Sequence, residues 1–205
     1  MCGRFRIEIS PKDIIGFYRL IEEVNKRYHE HQEYFSGRPT DFYPGSDVPV
    51  ITPEKIEVQN WGFPFEKKLV FNGRSESIQE KRMFRDLVDV NRCVIPATLF
   101  YEWHNKNKYT IQTQSPFFFM AGLYRTYRDK GDEPTNRFVI LTTDADKDVS
   151  AIHTRMPVIL PENQLKDYLD PTIPYQKIEQ DIAPWNRGLI VQPADGQQMS
   201  LFDLV

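Results

Sequence analysis

The sequence predicts an α+β fold: one domain with a mostly antiparallel, barrel-like β core and flanking helices. Three observations carry this. Many short apolar runs are separated by turn residues, few helical periods lie among them, and no regular βαβ alternation appears. With 205 residues, 40% of them hydrophobic, the chain can bury one sizeable core. The domain is expected over residues 1–192, followed by a C-terminal tail at 193–205.

The elements follow in chain order. Residues 3–9 alternate apolar and polar, as a strand with one buried face does. Ser10-Pro11-Lys12-Asp13 reads as a helix start, with Ser10 as N-cap and Pro11 in the first turn. Ile14, Phe17, Ile21, Val24 and Tyr28 recur at helical spacing, which predicts a helix over about 11–30. Residues 36–53 are rich in Pro, Gly, Asp and Thr and are expected to form a loop with short extended pieces. Strands are expected at 48–52 and 55–61, around a Pro53-Glu54 turn. A second helix is expected near 75–88, with Ser75 as its N-cap. Further strands are expected at 92–95, 99–104, 108–114, 117–127 and 137–141, with Asn105-Lys106-Asn107 as a hairpin turn. A short helix near 146–152 leads to His153, then a strand at 158–160 and a short helix opened by Pro161.

Composition narrows the function classes. A net charge of −3 argues against a uniformly basic duplex-binding surface, yet allows a local basic groove. The two cysteines, Cys2 and Cys93, give no disulfide framework, and no Cys/His spacing suggests a metal site. No apolar run reaches membrane-spanning length and no signal-peptide pattern is seen, so reducing, cytoplasmic surroundings are expected. No cofactor is implied.

Four segments concentrate polar groups in apolar settings. The first is Cys2-Gly3-Arg4. Removal of Met1 leaves Cys2 with an α-amine titrating near about 7.7–8.0 beside a thiol near about 8.5. Such a 1,2-aminothiol condenses with an aldehyde to an imine, and the sulfur then closes a five-membered thiazolidine. By residue type alone, Cys2 reads as a small buried hydrophobe. The second is Asn72-Gly73-Arg74-Ser75-Glu76, an amide and a guanidinium at a turn, which is also simply a good turn sequence. In Phe100-Tyr101-Glu102-Trp103, alternation sets Glu102 opposite its aromatic neighbours. Buried there it serves as an acid or base; on an edge strand it merely faces solvent. The fourth is Ile152-His153-Thr154-Arg155, whose histidine titrates in a useful range but equally suits a structural hydrogen bond.

The ordered set Met-Cys-Gly-Arg-Phe, Asn-Gly-Arg-Ser-Glu, Arg-Cys-Val-Ile-Pro with Phe-Tyr-Glu-Trp, and Ile-His-Thr-Arg-Met-Pro resembles the SRAP (SOS-response-associated peptidase) family of abasic-site-processing proteins. The resemblance runs from residue 2 to about 192. It implies capture of abasic sites in single-stranded DNA through an N-terminal cysteine thiazolidine. Carried over by position, Cys2 is the nucleophile, Asn72 holds its terminus, Glu102 moves protons, and His153 protonates the sugar oxygen. Arg4, Arg74 and Arg155 match phosphate-gripping positions, Trp61 a base-stacking aromatic, and Pro44 and Met83 wedges against junction bases. Asp41-Phe42-Tyr43-Pro44 departs from the family's usual Asn-Val-Ala-Pro, and Ala97-Thr98-Leu99-Phe100 lacks its usual glycine.

Two other classes share these residues: an N-terminal-nucleophile peptidase or amide hydrolase, and a non-catalytic adaptor for single-stranded DNA. Gln198-Met199-Ser200-Leu201-Phe202 resembles the bacterial sliding-clamp-binding pentapeptide, with Gln198, Leu201 and Phe202 as anchors. The alternative is a tail packed on its own core. Clamp binding implies a bacterial protein at replication forks near the nucleoid.

Overall fold

The computed structural model describes residues 2–24, 39–128, 134–182 and 185–194. The chain opens with β1 (Phe5–Ile7) and α1 (Ile14–Val24). Next come β2 (Thr40–Phe42), β3 (Asp47–Ile51) and β4 (Ile56–Trp61). A small hairpin, β5 (Phe63–Phe65) and β6 (Lys68–Val70), leads into β7 (Asn72–Arg74). The long middle run is β8 (Arg92–Ala97), β9 (Leu99–His104), β10 (Asn107–Gln112), β11 (Phe118–Tyr127) and β12 (Thr135–Asp144). The short elements β13 (Arg155–Pro157), β14 (Ile159–Leu160), α2 (Leu165–Leu169), α3 (Tyr175–Ile178) and β15 (Ile190–Pro193) finish it.

The expected barrel is present. Strand β12 pairs with β4, β4 with β3, β3 with β8, β8 with β11, and β11 again with β12, so five strands close on themselves. Only the β4–β12 seam of this ring is parallel. Every residue of β8 is buried, as a wall covered on both sides requires. At Gly122 the wall is so close that a Cβ would lie 2.5 Å from Ile95 Cδ1 and 2.9 Å from the Val139 carbonyl. The second sheet runs β15-β10-β9-β1-β2 and carries the start of the chain. Helix α1 packs through Phe17, whose ring meets Phe117 edge-on and stacks on Phe119. Each such buried aromatic contributes roughly 1.5–3 kcal/mol.

The β9–β10 hairpin turns through Asn105 and Lys106, both at positive φ (48° and 69°), while Asn107 already pairs with His104. That is the two-residue, doubly left-handed loop that right-twisted strands favour. Other boundaries differ from expectation. The first strand is confined to 5–7, and residues 11–13 form a turn before α1. The far end of the expected 11–30 helix lies outside the described residues.

The expected helix at 75–88 is absent. Ser75–Ser77 make one 3-10 turn, and residues 78–89 run on as separate turns. The carbonyls of Met83 and Val88 accept from the Arg125 and Arg92 guanidiniums. Ser75 does not cap; its hydroxyl donates to the Thr142 carbonyl at 3.1 Å. Tertiary partners here override helix propensity. Near 146–152 the expected helix is replaced by successive turns, opened by Asp146 accepting from the Asp148 and Val149 N–H groups at 3.0 Å.

Candidate active site

Strand β1 lies between β9 and β2, so the residues just before it are drawn inside the second sheet. The Tyr101 N–H donates to the Arg4 carbonyl at 2.9 Å, extending that pairing towards the chain start. Cys2 is fully buried, with its Sγ 3.9 Å from the same carbonyl. Strand β7 pairs with β12 in parallel, Asn72 opposite Ile140, which fixes the Asn72 backbone on the barrel. From there its Nδ2 donates to the Cys2 carbonyl at 2.9 Å, and its Oδ1 is buried with no partner. A Cβ at Gly73 would lie 2.6 Å from Ile78 Cδ1, so the strand passes its turn closely.

Glu102 points inward from β9, 3% exposed, while Trp103 beside it is 43% exposed. Burial raises the Glu102 carboxyl above the usual range; the chain's amino terminus and His153 pull the other way. Burial also pushes the Cys2 thiol up, and the negative Glu102 nearby adds to that. Burial thus favours the protonated form of both groups. His153 follows the Asp146-capped turn, and its Nδ1 lies 2.9 Å from the Arg155 N–H and 3.1 Å from the Arg155 carbonyl. Four distant segments thus bring Cys2, Asn72, Glu102 and His153 together through one hydrogen bond and two electrostatic contacts.

Other expected residues have different surroundings. Arg4 is held by the Asp41 carboxylate, with Tyr43 and Tyr101 rings each 4.7 Å from its guanidinium carbon. Asp41 also accepts from Arg6 Nε at 2.7 Å and the Tyr101 hydroxyl at 3.0 Å. Burial works to raise the Asp41 carboxyl, but these three partners hold it down at about 2. Arg155 is not an open phosphate fork, because Glu76, Asp144 and the Thr142 carbonyl engage it.

Trp61 corrects a second expectation. It is fully buried among Phe5, Phe71 and Phe138, with its indole N–H donating to the Phe71 carbonyl at 2.9 Å. No face is left for a base. Arg74 is exposed, and Pro44 and Met83 are half-buried. Gln198, Leu201 and Phe202 lie outside the described residues. Sequence reasoning missed Asp41 and Glu76, whose arginine partners become visible only once the pairing of β1 with β2 and of β12 with β13 is known. A cleft of about 490 Å³ lined by Phe117, Leu160, Trp185 and Arg187 lies away from all four site residues. Among the described residues, no group of three or more His, Cys, Asp or Glu is placed to hold a metal ion.

Comparison with known proteins gives one consistent picture. The family model described as SOS response associated peptidase (SRAP) matches residues 1–199. The abasic site processing protein YobE of Bacillus subtilis is 34% identical over 188 residues, covering 83% of each chain. The abasic site processing protein YoaM of the same organism is 31% identical over 187 residues, covering 83% of this chain and 80% of the relative. An X-ray structure of a Bacteroides thetaiotaomicron protein superposes with a TM-score of 0.74 at 26% identity, covering 92% of this chain and 91% of that one.

Proposed function

The chain belongs to the SOS response-associated peptidase (SRAP) family, and from that premise we propose that it captures abasic sites in single-stranded DNA covalently. The observation that carries this reading is that Asn72 bonds the Cys2 carbonyl while Glu102 is within electrostatic reach of both Cys2 and His153. With Met1 removed, the Cys2 amine adds to the ring-opened sugar aldehyde. Loss of water leaves an imine. The Cys2 sulfur then adds to the imine carbon as its proton passes by way of Glu102 to the imine nitrogen, which becomes the ring N–H. The sum is aminothiol plus aldehyde giving thiazolidine plus water. His153 supplies the proton that opens the sugar ring. Asn72 orients the Cys2 backbone. Arg74, Pro44 and Met83 are the strand contacts we assign, with Arg74 gripping phosphate.

The test is intact mass of the mature protein before and after exposure to an abasic oligonucleotide, with a denaturing gel beside it. A heat-stable adduct lost in Cys2→Ala supports the reading. Peptide turnover without any adduct would make the chain a peptidase instead, using the same cysteine, glutamate and histidine. Salt-sensitive strand binding indifferent to Cys2 would make it an adaptor. We further propose that Gln198–Phe202 recruits the protein to a sliding clamp at replication forks in the bacterial cytoplasm. Clamp binding that survives Leu201→Ala with Phe202→Ala would sink that second proposal.

A further inference from the structure

Building on that reading, we propose that Glu76 and Arg155 form a positioning pair for His153, clasping the turn after Asn72 to the loop that carries the histidine. Arg155 Nη1 and Nη2 donate to the two carboxylate oxygens of Glu76 at 2.7 and 2.8 Å, a bidentate pair. Nη1 also donates to Asp144 at 2.6 Å and Nη2 to the Thr142 carbonyl at 2.7 Å. That same carbonyl accepts from Ser75, so both ends of the clasp share one atom of β12. The Arg155 side chain is 11% exposed and its Glu76 partner 46%, so the pair sits at the surface, and its bidentate geometry rather than its burial is what fixes it.

The consequence for His153 runs through the backbone. His153 Nδ1 lies 2.9 Å from the Arg155 N–H, which can only donate, and 3.1 Å from the Arg155 carbonyl, which can only accept. With the shorter of the two contacts made, Nδ1 accepts and the neutral ring carries its proton on Nε2; with the carbonyl contact made, the proton sits on Nδ1, and the clasp selects the first. The Arg155 backbone is otherwise tied by the three-residue strand β13 and by the Ala145 N–H donating to the Thr154 carbonyl at 3.0 Å. So short a pairing frays readily, and the Glu76 clasp keeps it registered. Glu76 is thus a positioning residue: it acts on the imidazole only through Arg155.

The experiment uses the full chain with nitrogen-15-labelled histidine. In the wild type, NMR is expected to show His153 with Nδ1 bare and Nε2 protonated when the ring is neutral. Glu76→Gln, which keeps the shape and removes the charge, is expected to populate both tautomers. It should also slow single-turnover adduct formation at saturating DNA on the order of tenfold, with half-saturation little changed. Glu76→Asp, which keeps the charge, is expected to retain the wild-type tautomer. An unchanged tautomer in a folded Glu76→Gln protein would overturn the proposal. So would a variant that loses DNA affinity at an unchanged saturated rate, since Arg155 would then be a phosphate contact. If the wild type forms no adduct, the Cys2 chemistry fails, and the tautomer comparison still decides the role of Glu76.

Discussion

The Asn72 side-chain amide donates to the Cys2 carbonyl at 2.9 Å, tying a strand that rides on the barrel to the chain start inside the second sheet. Because its other polar atom, Oδ1, is buried without a partner, the amide is positioned rather than merely solvated. Asn72→Ala should reduce single-turnover adduct formation about three- to tenfold, the worth of one neutral hydrogen bond. A rate equal to wild type, with the same melting temperature, would remove Asn72 from the site.

Glu102→Gln should separate activity from stability. Burial raises the folded carboxyl above its unfolded value of about 4.3. Between the unfolded and the folded value, the folded protein holds a proton that the unfolded chain has lost. This contribution to stability is complete below the unfolded value and declines as pH rises through the folded one. At neutral pH the glutamine variant should melt about 2–4 °C higher, roughly 1 kcal/mol, while adduct formation falls about a hundredfold. Scanning calorimetry and a quenched gel time course measure the two. A lower melting temperature contradicts the assignment.

Asp41 carries the opposite sign. Its carboxyl is held at about 2, below the unfolded value of about 3.9. Its contribution is present above the unfolded value and is lost as pH falls from about 4 to about 2. Asp41→Asn should cost about 2 kcal/mol at neutral pH, since two arginines and a tyrosine lose a charged partner. Below about pH 2 the two proteins should converge. Denaturant titrations across that range measure it; a constant gap down to about pH 1.5 argues against the network.

Trp61→Ala should behave as a core deletion and cost about 3–5 kcal/mol. Trp61→Phe should cost less but lose the indole bond to the Phe71 carbonyl. Where the phenylalanine variant remains folded, its affinity for an abasic oligonucleotide should match wild type. A selective loss of affinity, with stability retained, would return this residue to a stacking role.

Much of the β framework is legible in the sequence, because period-two alternation and the Asn105-Lys106 turn are local signals. Barrel closure was expected only in kind, since the seam pairs Arg137 with Asn60 and Phe138 with Trp61 across long stretches of chain. The helix expected at 75–88 fails for a similar reason: Arg92 and Arg125 reach its carbonyls from elsewhere. Residue type named the arginines near the site but not their partners. A guanidinium fits carboxylate and phosphate alike, and only the fold shows Asp41 on Arg4 and Glu76 on Arg155. Trp61 illustrates the same limit, because one aromatic at a strand end can face either side.

The pairing of Phe5 with Phe100 also has a timetable. Of the two partner strands of β1, β9 is synthesised nearly half a chain later, on the order of ten seconds at ordinary elongation rates. During that interval Cys2 has neither its burial nor its glutamate, and its thiol meets the cell with ordinary acidity. Pairing of β9 beside β1 thus covers a cysteine that the growing chain had left open, and the His153 loop is made later still.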